Sequence, residues 1–493
     1  MKKRVGAMLA AGVMACGMGV AMGLSGCGGA GITEFVMPKN GYDGSKVTIT
    51  FANTTGQTLA EIIDPAIKRF NQLYPNITVK MDRTSQDWDD LNSTISTQLT
   101  SGKQPNVAFC YSDHVASYNQ AGAVVALDQF FLHDSGYADI MVTPANGKTE
   151  TLALTEDQEK DYIEAFWNDG KVYRDGHLYT LPFAKSTEVL FYNKDKFEEW
   201  GLTVPTTWKE MEETCKTITE KDPNCIALGY DSGANYFITR CMQKGLPYTS
   251  LDSSNHYQFN TEAHRAIVEE MRTWSSKRYI TTKDVYGKYS SNLFKETKAD
   301  ATKCYMSIGS TGGSAYQLAD VVDGKAGFEV GVAAIPQEYS TVEGHVEYKE
   351  DYKPQTILQG PNVCIFKKKN PQEVVASWLL VKFLTTDLAF QARYSQASGY
   401  SPVTESIFNN KTYQDFIKGV ETDNVPTLMG QVASICYTYA NTKAFYTSPA
   451  FIGSSVARKQ VDGIVTKVLK GTETNIERAF TNAIAECSRF RDI

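Results

Sequence analysis

The residues of this chain best suited to chemistry are aromatic, acidic and hydroxyl-bearing, and their pattern is one of recognition rather than bond-making. Trp88 sits among Asp87, Asp89 and Asp90, at the start of a helix-like run. Asp113 follows a short apolar run, where a carboxylate serves as a plain N-cap for the next helix. Ser310 lies in the loop Gly309-Ser310-Thr311-Gly312-Gly313, which could turn backbone N–H groups on an anion. The loop lacks the Gly-Lys-Ser/Thr ending of a nucleotide loop, and its plain reading is a turn into a helix at Tyr316. The segment Tyr437 to Tyr446 is dense in aromatic rings. Enzyme signatures are missing: there is no G-x-S-x-G, no H-E-x-x-H and no G-x-G-x-x-G after a strand. The six histidines are scattered, no metal-ligand spacing occurs, and no pair of carboxylates stands out for glycosidase chemistry.

These residues need elements to position them. Lys46 to Phe51 alternates apolar and polar residues and predicts a strand. Ile63, Ala66, Ile67 and Phe70 form one helix face, ended before Pro75. A strand over Ile77 to Met81, a helix over Asp87 to Thr100 and a strand over Asn106 to Cys110 follow. Strand–helix–strand at this spacing implies parallel strands with right-handed crossovers. Further on, Leu190-Phe191-Tyr192 predicts a buried strand, and Trp208 to Thr219 a helix capped by Thr206 or Thr207. Pro371 to Thr385 predicts a helix with one apolar face, and Ile464 to Phe490 a helical stretch broken at Gly471.

Length and composition bound the reading. A chain of 493 residues exceeds what one core supports, and 42% hydrophobic with 21% charged residues is ordinary globular usage. Lys2, Lys3 and Arg4 precede an uncharged stretch, Val5 to Leu24, the layout of a secretory signal over residues 1–26. Leu24-Ser25-Gly26-Cys27 resembles a bacterial lipobox, which implies cleavage before Cys27 and diacylglycerol on its thiol. Residues 27–45, with five glycines, predict a flexible tether. No later run reaches the roughly 18 apolar residues that span a bilayer. Net charge is −7, and removing Lys2, Lys3 and Arg4 takes it to −10, which argues against a nucleic acid partner. Eight cysteines remain in the body. Cys215 and Cys225 are the closest pair and could bridge, or the thiols are buried and free.

Several segments, in order, resemble the extracellular solute-binding proteins of bacterial ABC importers, carbohydrate class. The strongest runs from Leu181-Pro182-Phe183-Ala184-Lys185-Ser186 to Tyr192-Asn193-Lys194-Asp195, followed by Pro205-Thr206-Thr207-Trp208. Cys304 to Ser310, Ala334-Ile335-Pro336 and Gly399-Tyr400-Ser401-Pro402-Val403 are further matches, and the spacing looks most like the glycerol-3-phosphate-binding branch. The resemblance implies a two-lobe α/β fold of the periplasmic-binding-protein type, with three crossings near Pro182, Gln355 and Ser401. The lobes would be residues 46–182 with 356–401, and 183–355 with 402–493, closing on a ligand by hinge motion. It implies no enzyme and no cofactor or metal. It further implies a monomer on the outer face of a Gram-positive cell membrane, working with two permease subunits and an ATPase.

The resemblance also carries site residues. Trp88 stands where the family has a ligand-contacting aromatic, with a helix-start Trp packed on its own lobe as the equal alternative. Asp113 stands where the family has an acidic hydroxyl acceptor. Ser186 lies in the first crossing, Gly360 matches a glycine that lets backbone approach ligand, and Tyr400 lies at the third crossing. Where the glycerol-phosphate branch has an arginine, this chain offers Lys443 or Ala444. Lysine is a point charge and not a bidentate fork, so a neutral sugar is expected in preference to a phosphate ester.

Overall fold

The computed structural model describes residues 34–131, 139–173, 175–298, 300–322, 324–345, 347–423 and 425–490. The signal, Cys27 and the first part of the expected tether lie outside the described residues. The principal elements are β1 (Val47–Ala52), α1 (Gln57–Leu73), β2 (Ile77–Asp82), α2 (Trp88–Thr100), β3 (Val107–Cys110), α3 (Ser112–Asn119) and β4 (Leu181–Pro182). There follow β5 (Glu188–Asn193), α4 (Trp208–Lys221), β6 (Leu228–Tyr230), α5 (Gly233–Gln243), β7 (Ile280–Thr282), β8 (Met306–Ser310) and β9 (Val330–Ala334). The chain ends with β10 (Asn362–Ile365), α6 (Pro371–Thr386), α7 (Leu388–Ser398), α8 (Leu428–Asn441), α9 (Ser454–Leu469) and α10 (Ile476–Cys487).

Two five-stranded sheets organise two lobes. The first has the order β2-β1-β3-β10-β4. Its β1, β2 and β3 are parallel, as the spacing predicts, while β10 runs antiparallel to β3 and β4. The second has the order β9-β5-β8-β6-β7, with β8, β6 and β7 parallel and β5 antiparallel to both neighbours. Each sheet buries its own core. The first gathers Ile49, Phe51, Ile63, Phe70, Phe109 and Trp378, and the second Met211, Ile218, Tyr236, Phe237, Trp274 and Phe480. Among the described residues no helix is long and apolar enough to cross a membrane.

The chain links the lobes at three places, and short hydrogen-bonded bridges bind the links together. Lys185 pairs with Ser401, and Ser186 with Gln359. Thr356–Ile357 lies parallel to Phe445–Tyr446. Thr187 Oγ1 meets Thr356 Oγ1 at 2.6 Å.

Three expectations are corrected, and the alternative left open at the cysteines is resolved. Order begins before Lys46: Phe35 and Met37 are buried in the first core, and Phe35 stacks on Phe130 at 5.8 Å. Two apolar residues two apart are too few for a period, yet they plug a hole beside an aromatic wall. Val403, Ile407, Phe408 and Tyr413 join the first core although they follow the expected last boundary at 401. The final helical stretch starts at Ser454, ten residues ahead of Ile464. Cys215 and Cys225 are free, as are the other six described cysteines, all buried.

Candidate functional site

A cavity of about 720 Å³ lies between the lobes. That is within the ~300–1,000 Å³ range of small-molecule sites. It opens at the carboxyl ends of parallel strands from both sheets, where side chains from loops and helix starts converge. After β3 come Tyr111, Ser112, Asp113 and His114; after β6, Asp231 and Ser232; after β7, Lys283 and Asp284. α2 adds Asp89, Asn92 and Ser93 from the first lobe. α9 adds Ser455, Arg458, Lys459 and Asp462 from the second. Tyr248, Thr249 and the segment Thr447-Ser448-Pro449 complete the wall.

The floor is a buried polar network anchored on Lys185. Its side chain is 1% exposed, and its ammonium donates to Asp169 Oδ2 at 2.7 Å, Asn362 Oδ1 at 3.0 Å and the Gly360 carbonyl at 3.3 Å. The Asn362 amide donates to Asp169 Oδ2 at 2.6 Å and to Ser112 Oγ at 3.0 Å, and Ser112 Oγ donates to the Asp169 carbonyl at 2.9 Å. The sheet makes this possible. β10 lies between β3 and β4 and faces Asn362 toward the first crossing.

Burial sets the protonation of groups in and behind the walls. It pushes Glu188 up to about 7, against hydrogen bonds from Tyr230 and Asn235 that favour the ionised form. Burial, then a hydrogen bond shared with Asp284, raises Asp462 to about 6. Burial also raises Asp231, which accepts the Ser290 amide at 2.7 Å, and lowers His114 below the usual imidazole range despite Asp113 at 3.9 Å. At neutral pH Asp462 is therefore mostly ionised and His114 uncharged, so the cleft offers carboxylate acceptors and an imidazole N–H to a solute rich in hydroxyls.

The structure sorts the residues expected from sequence. Asp113 and Gly360 line the cavity. Gly360 has φ of +94°, and a Cβ there would stand 2.4 Å from the Ala184 carbonyl oxygen, so close backbone packing alone requires glycine. Trp88 lies behind the wall: its ring packs 4.9 Å from Tyr111, which does line the cavity. Ser186 is buried in the crossing with its backbone paired to Gln359. Ser310 accepts the Gly312 amide at 3.2 Å and starts a short 3-10 turn. Tyr400 stacks on Tyr394 at 6.3 Å and lies over Gly312, where a Cβ would meet its ring at 2.6 Å. Lys443 is on the surface, its side chain 79% exposed and paired with Glu164 at 2.8 Å. Trp88, Ser186, Ser310, Tyr400 and Lys443 are not among the described residues that line the cavity.

Sequence reasoning missed Lys185, Glu188, Asp231, Tyr248 and Arg458. A signal for Arg458 was present. Ala457, Val461, Ile464, Val465 and Val468 mark one buried face of α9, and Arg458, Lys459 and Asp462 the other. That polar face turns into the cleft.

Comparison with known proteins agrees with this architecture. The family model described as bacterial extracellular solute-binding protein matches residues 65–421. The sn-glycerol-3-phosphate-binding periplasmic protein UgpB of Escherichia coli K12 is 23% identical over 383 residues, covering 75% of this chain and 77% of that protein. UgpB from Mycobacterium tuberculosis, solved in complex with glycerophosphocholine, superposes with a TM-score of 0.68 at 17% identity, covering 90% of this chain and 98% of that one. The GacH receptor of Streptomyces glaucescens, solved unliganded and with acarbose, gives 0.66 at 17% identity, covering 89% and 97%. With two α/β lobes, strand ends opening into one cleft and a family match over most of its length, this chain belongs to the bacterial extracellular solute-binding proteins.

Proposed function

We propose that the protein captures a neutral carbohydrate, a mono- or oligosaccharide, in the interlobe cleft and delivers it to the permease subunits of an ABC importer. In this reading it acts outside the cell, held to the membrane by lipid on Cys27, and returns its ligand chemically unchanged. One observation carries the choice of ligand. Among the described lining residues, six aspartates (Asp89, Asp113, Asp169, Asp231, Asp284 and Asp462) outnumber the cations Lys185, Lys283, Arg458 and Lys459. A wall with excess acceptors, interspersed with serine and threonine hydroxyls, suits sugar hydroxyls and repels a dianion. The GacH receptor, with acarbose bound, supports the same reading.

A phosphate ester is the second reading. Arg458 favours it, because this guanidinium lines the cleft and its hydrogen-bonded partner, Asn235, is neutral. Thermal-shift and calorimetric titration against maltose, maltotriose, acarbose, sn-glycerol 3-phosphate and glycerophosphocholine separates the two. A ligand at 100 times its Kd stabilises the native state by about 2.7 kcal/mol. Response to a neutral saccharide alone is expected; response to the phosphate esters alone would replace the sugar with the second reading.

A further inference from the structure

Glu188 is the first residue of β5, immediately after the first crossing. Its side chain is 1% exposed and lies outside the cavity wall. Oε2 accepts from the Tyr230 hydroxyl at 2.5 Å, and Oε1 accepts from Asn235 Nδ2 at 2.6 Å. Asn235, on α5, is also buried. Its Oδ1 accepts from the Arg458 guanidinium on α9 and, at 3.4 Å, from Gln359 Nε2 at the second crossing.

We infer that Glu188 is a positioning residue: it fixes the amide of Asn235 so that the Asn235 carbonyl oxygen holds Arg458 toward the bound solute. The inference rests on the reading of the cleft as a solute site. The direction of the relay follows from donor and acceptor chemistry. A primary amide can sit either way round, and an arginine demands its oxygen. Only a neighbour that accepts on the other side commits the amide nitrogen and leaves the oxygen for Arg458. An ionised carboxylate accepts and never donates.

The arrangement survives protonation of Glu188. A proton on Oε2 would face Tyr230, whose hydroxyl oxygen can accept it. Oε1 remains an acceptor for Asn235 in both states. The titratable and charged groups around Glu188 are Tyr230 and Asp231 at the end of β6 and Arg458 on α9. Asp231 opposes ionisation of Glu188, whereas Arg458 favours it. A buried carboxylate is costly unless hydrogen-bonded, and both of its oxygens are used here.

Arginine-directed labelling of the full mature chain by phenylglyoxal, mapped by peptide mass spectrometry, tests the relay without any solute. The readout is the labelling rate of Arg458 relative to Arg489, whose side chain is 70% exposed. In Glu188→Ala and Asn235→Ala the ratio should rise about tenfold, equivalent to ~1.4 kcal/mol, near the lower bound for a hydrogen bond to a charged group. Glu188→Gln should restore the wild-type ratio, because the glutamine oxygen still accepts from Asn235; a role in packing alone would not be rescued in this way. If Glu188→Ala fails to fold by circular dichroism, Asn235→Ala carries the test. An unchanged ratio in a folded Asn235→Ala, or a Glu188→Gln that labels like Glu188→Ala, overturns the inference. A wild type that binds none of the five titrated solutes would instead sink the solute reading and leave the labelling result to judge the relay.

Discussion

Replacing Lys185 with methionine tests the floor of the cleft most directly. Methionine has a similar reach and no donor. Asp169 then loses its counter-ion and keeps the Asn362 amide at 2.6 Å, while the Gly360 carbonyl and Asn362 Oδ1 each lose a donor. With Lys185 at 1% exposure, little water reaches the orphaned groups. Removing one member of a buried ion pair costs about 3–5 kcal/mol. The cost falls on the first lobe, because Lys185, Asp169 and Asn362 all stand beside its sheet. Urea unfolding followed by tryptophan fluorescence can resolve that lobe: Trp88, Trp167 and Trp378 belong to the first core, and Trp200, Trp208 and Trp274 to the second. Lys185→Met should shift the first-lobe transition by that amount and leave the other nearly in place. Adding Asp169→Asn removes the unpaired charge and should recover at least about 1 kcal/mol. A single variant within roughly 1 kcal/mol of wild type, or a double variant whose losses simply add, would refute the account of the floor as a charge-paired network.

Three further outcomes are expected. Glu188 binds its proton more tightly folded, at about 7, than its ordinary 4.5. Its contribution to stability is therefore full below pH 4.5 and lost as pH rises to 7, by roughly 3 kcal/mol at ~1.4 kcal/mol per pH unit; Glu188→Gln should remove that share of the decline in urea melts, leaving the shares of Asp231 and Asp462, whose carboxyls are raised by burial too, and a decline as steep as wild type would count against the assignment. Gly360→Ala puts a side chain at φ +94° and a Cβ 2.4 Å from the Ala184 carbonyl oxygen, so a loss of about 1–3 kcal/mol and a lower thermal midpoint are expected, whereas a neutral result would mean that the crossing yields easily. Lys443→Met should leave stability and solute affinity as in wild type, since its ion pair with Glu164 is exposed, while Arg458→Met should weaken binding measured by calorimetry; the reverse order would return Lys443 to the site.

Periodic signals were legible and pairings across the chain were not. The face of α1 and the alternation of β1 depend on neighbours three, four or two residues away, and they read correctly. Asp113, expected from the resemblance and open to a plain N-cap reading, follows β3 and lines the cavity. Lys185 lay inside the most informative motif and passed unnoticed, since an isolated lysine reads as solvated; its partners Asp169 and Asn362 are 16 and 177 positions away. Glu188 passed unnoticed for a similar reason, at the head of an apolar strand. Trp88 was chosen one layer too deep, because the ring that reaches the cavity, Tyr111, sits in front of it. Lys443 came from segment order alone, and a short 3-10 turn or cap shifts such a correspondence by a full face.

α8 belongs to both lobes at once. Val432 and Cys436 pack with Val189 and Phe191 of the second sheet, while Ala433, Tyr437 and Ala440 pack with the first core. A rod wedged between two bodies cannot stay flush with both when they rotate. One face must slip. The patch on the second sheet is a small cluster including Phe294 and Phe328, and the other face is set into a far larger core flanked by Phe408 and Phe445. The second lobe also holds α8 through the Ile335 N–H, which donates to the Tyr439 hydroxyl at 3.1 Å, so relative rotation of the lobes must break contacts on one face of this helix, which makes α8 a mechanical stop on the swing.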